Sequence, residues 1–292
     1  MLLFNIWEGI FIMLNIPIKP MLLHKTDIPP TGNFIHQLKM DGIRCVLSYD
    51  NGNVRLFTRH QNECTAQFEE IRPSLPVKNA VIDGEMIVMD GTKPCFESVM
   101  KRFMTKNNQQ VKRLSQILPA HFVAFDILYL NDKDITKLPL VERLSILSSI
   151  ILPSNEISIC PSSNDGIELF NKTKELGLEG IVSKNNSSPY LLDTRSHFWL
   201  KTKAYLHEVV EITGIRKDKF GWSLSKDGKH LGIMEFVPLK ERKAFYHVSS
   251  QIVTGSNDKW MYVRPLIKCE IKFQSYTKSG LLRSPHFVRF VA

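Results

Sequence analysis

Lys39 stands at the end of the alternating run FIHQLKM, and one residue later comes Asp41-Gly42-Ile43-Arg44. Lysine is ordinarily a solvated surface residue, so a lone one carries little meaning. A lysine that attacks phosphorus needs a neutral amine. With an ordinary pKa of about 10.4, only ~0.1% of the amine is unprotonated near pH 7.4, a handicap of roughly 4 kcal/mol. Desolvation or nearby cations can remove it. Cations would also neutralise the phosphates under attack. Such a lysine therefore calls for arginines and further lysines, carboxylates able to hold a divalent metal, and an aromatic face for a base.

The chain places these residue types at the ends of strand-like runs. Arg44 follows Lys39 by five residues, and Arg59 closes a hairpin turning at Asn51-Gly52. Glu85 lies in IDGE, on the same face as Val81 and Asp83, and Phe125 lies in VAFDIL. Glu179 opens EGIVSK, which ends in Lys184, while Lys201 and Lys203 share one side of WLKTK. Each has a dull alternative: Phe125 as a core aromatic, the glutamates as surface carboxylates, the lysines as a solvated strand face. Their ordered combination carries more than any member.

That combination resembles the covalent nucleotidyltransferases, the superfamily of ATP-dependent DNA ligases, RNA ligases and mRNA-capping enzymes. The motifs stand as KMDGIR, IDGE, FVAFD, EGIVSK and WLKTK, and the likeness covers roughly residues 17 to 290. YLLDTRSHFWLKTK is similar to the lead into the last motif of compact phage, viral and accessory bacterial DNA ligases, with Asp193 where a glycine is often found. The resemblance implies that Lys39 is the nucleophile that takes AMP from ATP and that Gln37 reads the adenine. It places Phe125 against the base, and Arg44 and Arg59 on the ribose and later on the nick phosphate. Glu85 and Glu179 would contact ribose and metal, the metal being Mg2+ with Mn2+ also compatible. Lys201 and Lys203 would hold the α-phosphate, and Arg283, in LRSPHFVRF, would orient the pyrophosphate. The activity implied is sealing of 3′-OH/5′-phosphate nicks in duplex DNA. An RNA ligase, a capping guanylyltransferase and a non-catalytic nucleic-acid-binding relative remain as alternatives.

The strand-like and helical runs that carry these residues, together with the resemblance, imply an α+β fold. The resemblance implies a nucleotidyltransferase (adenylation) domain of antiparallel sheets flanked by helices over residues 17–203. A small all-β OB-fold barrel would follow over 204–292. LPLVERLSILSSIILP reads as a helix, Asp165 caps another that stops at Gly177, and LEGIVSKN and FWLKTKA read as strands. After Val209 the texture changes to about five short strands, KAFYHVSS among them. Residues 1–203 carry 23 Lys/Arg against 21 Asp/Glu, and residues 204–292 carry 15 against 8. The excess of positive charge therefore sits in the last third and points to a polyanionic partner. Arg216, Lys217 and Lys219 are candidate DNA contacts there, and Lys101 and Arg102 are candidates in the helical stretch 100–114.

Five widely spaced cysteines without a C-x-x-C argue against a disulfide framework or zinc site and suit a reducing cytoplasm. The apolar opening MLLFNIWEGIFIMLNI is too short to span a bilayer and lacks the basic start of a secretory signal. Residues 1–16 are set apart as an amino-terminal extension, of which the first dozen are expected to precede a folded protein that begins near Met13. A monomer without an obligate protein partner is expected.

Overall fold

The computed structural model describes residues 13–291. The expected extension lies outside them up to residue 12. Met13, however, is buried and the Asn15 N–H donates to Ser48 Oγ, so residues 13–16 belong to the fold. The chain divides into two compact units, one ending at Thr202 and one starting at Lys203.

The first unit opens with β1 (Leu22–Lys25), β2 (Phe34–Leu38), β3 (Ile43–Asp50), β4 (Asn53–Thr58), β5 (Asn79–Asp90) and β6 (Lys93–Pro94). Helices α1 (Phe96–Met104) and α2 (Asn108–Ile117) precede β7 (Ala120–Leu130) and β8 (Lys133–Asp134). Then come α3 (Leu140–Ile150), β9 (Ile157–Ile159), β10 (Ser162–Ser163), α4 (Gly166–Glu175), β11 (Gly180–Asn185) and β12 (Arg195–Lys203). One sheet runs β1-β12-β11-β2-β10; the other runs β4-β3-β5-β7-β8, with β6 on β5 and β9 on β7.

The hydrophobic pattern explains the layering. Along β3, Cys45, Leu47 and Tyr49 join a core with Phe122, Val99 of α1 and Leu147 of α3. Val46, pointing the opposite way, packs with Val81, Leu128, Tyr190 and Trp199. This period of two means that β3, β5 and β7 bury both faces, helices on one side and, on the other, Trp199 of β12, Tyr190 ahead of it and the segment before β1. The β3–β4 turn has Asn51 and Gly52 both at positive φ (47° and 86°), the conformation that favours Asn-Gly in two-residue hairpins. Asp165 caps α4 by accepting from the Glu168 N–H at 2.8 Å, as its residue type predicts.

The second unit contains β13 (Leu206–Arg216), β14 (Trp222–Lys226), β15 (Lys229–Met234), α5 (Leu239–Ser249), β16 (Val253–Ser256), β17 (Trp260–Val263), β18 (Lys268–Phe273) and β19 (His286–Val291). Its sheet runs β15-β14-β13-β17-β16, and β13 also pairs with β18, which pairs with β19. Trp222, Leu224, Ile212, Phe245, Ile271 and Phe273 form its core. The stretch KAFYHVSS is helical, against the strand expected from its alternation. All but its last residue lies within α5, which starts after Pro238 in the helix-forming run Leu239-Lys240-Glu241-Arg242-Lys243-Ala244. Phe245 and Ser249, four apart, are its buried positions, so packing selected the helical period over the strand period. Among the described residues no helix is long and apolar enough to cross a membrane.

Candidate active site

Lys39 follows directly on β2, and its backbone N–H donates to the carbonyl of Gly180 at 2.9 Å. Gly180 heads β11 with φ +134°, a conformation open mainly to glycine. This continues the β2–β11 register, in which Ile181 faces Leu38, so Gly180 lies opposite Lys39 and Glu179 is its immediate neighbour. The Lys39 Nζ then donates to Glu179 Oε2 at 2.6 Å. Gly42 has a different function: a Cβ there would lie 2.2 Å from the Met86 carbonyl oxygen and 2.9 Å from Glu85 Cγ. Only glycine lets the turn after Lys39 come this close to β5 and to Glu85.

The pocket beside Lys39 is lined by Gln37, Arg44, Glu85, Phe125, Lys184 and Trp199, with apolar contributions from Leu23, Leu38, Met40 and Val182. Five positions read from the sequence motifs, 39, 37, 44, 85 and 125, are thus brought together here from four strands and the turn after β2. Gln37 is 2% exposed, and its Oε1 is a buried acceptor without a hydrogen-bond partner. An unsatisfied buried amide oxygen is costly, about 1–3 kcal/mol, and marks a place where a ligand donor would be favoured. Trp199 and Lys184 complete the aromatic wall. Lys184 is 1% exposed, its Nζ donates to the Phe125 carbonyl at 2.8 Å and lies 3.9 Å from the Trp199 ring centroid. Trp199 opens the WLKTK motif, so its identity was visible, but its role follows only from its burial.

The electrostatics around Lys39 differ from the cation-rich surroundings expected. Burial pulls the amine down, but Glu179 and Glu85, with Asp41, outweigh it and hold the pKa above the ordinary lysine value. Glu85 moves the other way: burial pushes its carboxyl up to about 8, against the pull of Lys39 and Arg44. The two shifts are compatible. Burial, with the Glu179 and Asp83 carboxylates beside it, leaves Glu85 largely protonated at neutral pH while Lys39 is an ammonium. The two other cations that line the pocket, Arg44 and Lys184, are directed elsewhere. Arg44 binds Asp83 through Nε (3.1 Å) and Nη2 (2.6 Å), and Lys184 is buried under the aromatic rings.

Arg59 is exposed just past the end of β4, and its backbone N–H donates to the Arg44 carbonyl at 3.0 Å, which seats the two arginines side by side. Lys201 and Lys203 share the face of β12 that carries Trp199, and both are half-buried. In the second unit, Arg283 is half-buried with its backbone tied to Gln274 and Ser275. Lys101 stands exposed on α1. Arg102 is a correction: it is fully buried, donates twice to Glu70 (2.6 and 2.9 Å), and reaches the carbonyls of Leu118 and Gln67. It ties α1 to the loop before β5 and offers nothing to DNA. Arg216 pairs with Glu235 at 2.9 Å, Lys217 donates to the Asn257 carbonyl, and Lys219 is exposed, 3.7 Å from Glu235.

The sequence profile of the ATP dependent DNA ligase domain matches residues 20–203. The chain is also 38% identical over 274 residues to the SPbeta prophage-derived DNA ligase-like protein LigB of Bacillus subtilis (strain 168), covering 92% of this chain and 97% of that one. The chain belongs to the ATP-dependent DNA ligases. This ligase is further similar to a probable DNA ligase of Dictyoglomus turgidum, 28% identical over 251 residues, but those residues span only 43% of that longer protein. Among solved structures, a Lig E DNA ligase described as binding DNA with a minimal scaffold superposes with a TM-score of 0.66 at 20% identity. That alignment covers 94% of this ligase and 100% of the other, and at such identity it speaks for the fold.

Proposed function

We propose that this ligase seals 3′-OH/5′-phosphate nicks in duplex DNA through a lysyl-AMP formed at Lys39. The observation that carries the reading is one pocket with the Lys39 amine at its edge and the unpartnered Gln37 Oε1 within it. Adenine presents an exocyclic amino group that could satisfy that acceptor. Guanine presents a carbonyl at the same position, which would leave two acceptors facing each other. Phe125, from β7, offers the base a ring face.

In the first step the Lys39 ammonium sheds a proton, for which Glu179 Oε2 is the hydrogen-bonded acceptor at 2.6 Å. The amine lone pair attacks the α-phosphorus, the P–N bond forms, the bond to the β-phosphate oxygen breaks, and pyrophosphate leaves with the electron pair. Lys201 and Lys203 are proposed to neutralise the charge gathering on the α-phosphate. The 5′-phosphate of the nick then displaces Lys39 from the AMP, and the 3′-hydroxyl attacks that phosphate to release AMP. Glu85 and Glu179 are hard oxygen donors suited to Mg2+, or Mn2+, and two carboxylates plus substrate phosphates are a usual Mg2+ ligand set. Among the described residues no cluster of three or more His, Cys, Asp or Glu could hold a metal by itself. When bound, the ion would supply positive charge to the phosphates and offset the carboxylates that hold the Lys39 proton.

The second unit is proposed to be an OB-like barrel that contacts the duplex. Supporting this are its long first strand, β13, which pairs with β14, β17 and β18, and a bridge between Phe236 and His286 that links the chain after β15 to β19. Its charge excess suits phosphate contact. A monomeric cytoplasmic enzyme is the accompanying reading.

The test is incubation of the purified chain with Mg2+ and either labelled ATP or labelled GTP, followed by nicked duplexes with and without RNA at the nick. The expected result is a mass gain of one AMP on Lys39, none in Lys39→Ala, and closure of the DNA nick. Labelling by GTP alone, or an adduct that survives Lys39→Ala, would refute the proposal.

A further inference from the structure

Arg44 is held by two buried residues, neither of which lines the nucleotide pocket. Asp83, on β5, is 0% exposed, and its carboxylate takes both Arg44 Nε and Arg44 Nη2. Tyr190, on the segment between β11 and β12, is 3% exposed, and its hydroxyl donates to Asp83 Oδ2 at 2.6 Å. The same phenol oxygen accepts from Arg44 Nη2 at 3.3 Å and from the Met21 N–H at 3.2 Å. A phenol has one proton to give and two lone pairs to offer, so this hydroxyl is saturated. Burial raises the Tyr190 pKa, and Asp83 raises it further, so the hydroxyl remains a donor throughout the working range.

The support continues outward. The Tyr190 ring stands edge-on to Trp199, with centroids 5.4 Å apart. Its backbone N–H donates to the Thr136 carbonyl, and the nearby Ser188 carbonyl accepts from Arg143 at 2.9 Å. Arg143, itself fully buried, is locked on Asp126. The phenol therefore has little freedom to leave Asp83. Meanwhile Arg44 Nη1 has no hydrogen-bond partner among the described residues, and Arg44 lines the nucleotide pocket with its side chain 12% exposed.

We infer that Tyr190 and Asp83 form a positioning clamp that holds two edges of the Arg44 guanidinium and presents Nη1 to the substrate. Tyr190 is thus a positioning residue for ligation, acting through Asp83 and Arg44 without touching the nucleotide. An arginine fixed in this way loses little side-chain freedom when substrate arrives, and a charge already in place needs no reorganisation during reaction. The inference rests on the reading that Arg44 contacts the nucleotide or the nick.

The experiment is a double-variant cycle on the full chain: Tyr190→Phe, Arg44→Ala and both together. It is read as single-turnover rates of AMP-adduct formation at saturating ATP and of sealing of a pre-adenylylated nick. Tyr190→Phe deletes a hydrogen bond to a charged group and is expected to slow the Arg44-dependent step about ten-fold. In the Arg44→Ala background it should change the rate less than about two-fold, because its target is gone. Asp83→Asn should show the same masking and serves as a second variant if Tyr190→Phe folds poorly. An equal slowing in both backgrounds would overturn the clamp, as would a wild-type rate in Tyr190→Phe while Arg44→Ala is slow. A wild-type rate in Arg44→Ala would instead overturn the reading of Arg44, and the clamp with it.

Discussion

Lys184→Met isolates the cost of burying a charge in this site. Lys184 is on β11, fully buried, and lies 4.4 Å from the Phe125 ring centroid and 3.9 Å from that of Trp199. Burial lowers its pKa from 10.5 to about 8, with Asp126 and Asp83 resisting the fall. The gap from the unfolded chain corresponds to about 3 kcal/mol, at 1.36 kcal/mol per pH unit. The direction follows from proton binding. Between about pH 8 and pH 10.5 the unfolded lysine keeps its proton while the folded one has lost it, so stability rises with pH across that window. Below pH 8 both states are charged and the full cost is present. Methionine has no such dependence, and its loss of the hydrogen bond to Phe125 is a constant of about 1 kcal/mol. Paired urea denaturation of wild type and Lys184→Met at pH 7, 8, 9 and 10 reads the difference. It should move in favour of wild type by roughly 2–3 kcal/mol from the lowest pH to the highest. A difference that stays constant over this range would refute the reasoning, because it would mean that Lys184 keeps an ordinary proton affinity in the fold.

Arg102→Met should destabilise the chain by about 3 kcal/mol, since it strands Glu70, a quarter exposed, and two part-buried carbonyls. DNA affinity of the folded fraction should not change; weakened binding at unchanged stability would return Arg102 to the DNA surface. Lys217→Ala combined with Lys219→Ala should lower the log–log salt dependence of duplex binding by about 1 for each phosphate that is no longer neutralised. An unaltered slope would remove that turn from the DNA-binding surface.

Much of the site was legible because its chemistry is written in short local motifs. KMDGIR joins the lysine proposed as nucleophile, a close-approach glycine and an arginine within six residues, and the turn they form is a local matter. Strands with a clear period of two, such as β3 and β12, were equally readable. KAFYHVSS was not, because its apolar spacing fits a strand as well as a helix, and the helical nucleus lies in the preceding charged run. Lys101 and Arg102 show the limit most clearly. Adjacent and chemically similar, they differ only in which side of α1 they occupy, and nothing local says that Glu70 waits on one side.

Residue types, their order and their spacing were enough to determine the kind of reaction and several of the groups that line the pocket beside Lys39. Only the tertiary structure decided that Lys39 rests against carboxylates, that Gln37 ends in an unpartnered oxygen, and that Asp83 and Tyr190 grip Arg44. Covalent geometry determines which face of a strand or helix a side chain takes. What meets that face comes from far along the chain: 39 positions separate Arg44 from Asp83, and 140 separate Lys39 from Glu179. Burial among such distant partners sets the proton affinity and the freedom of every charged group it encloses.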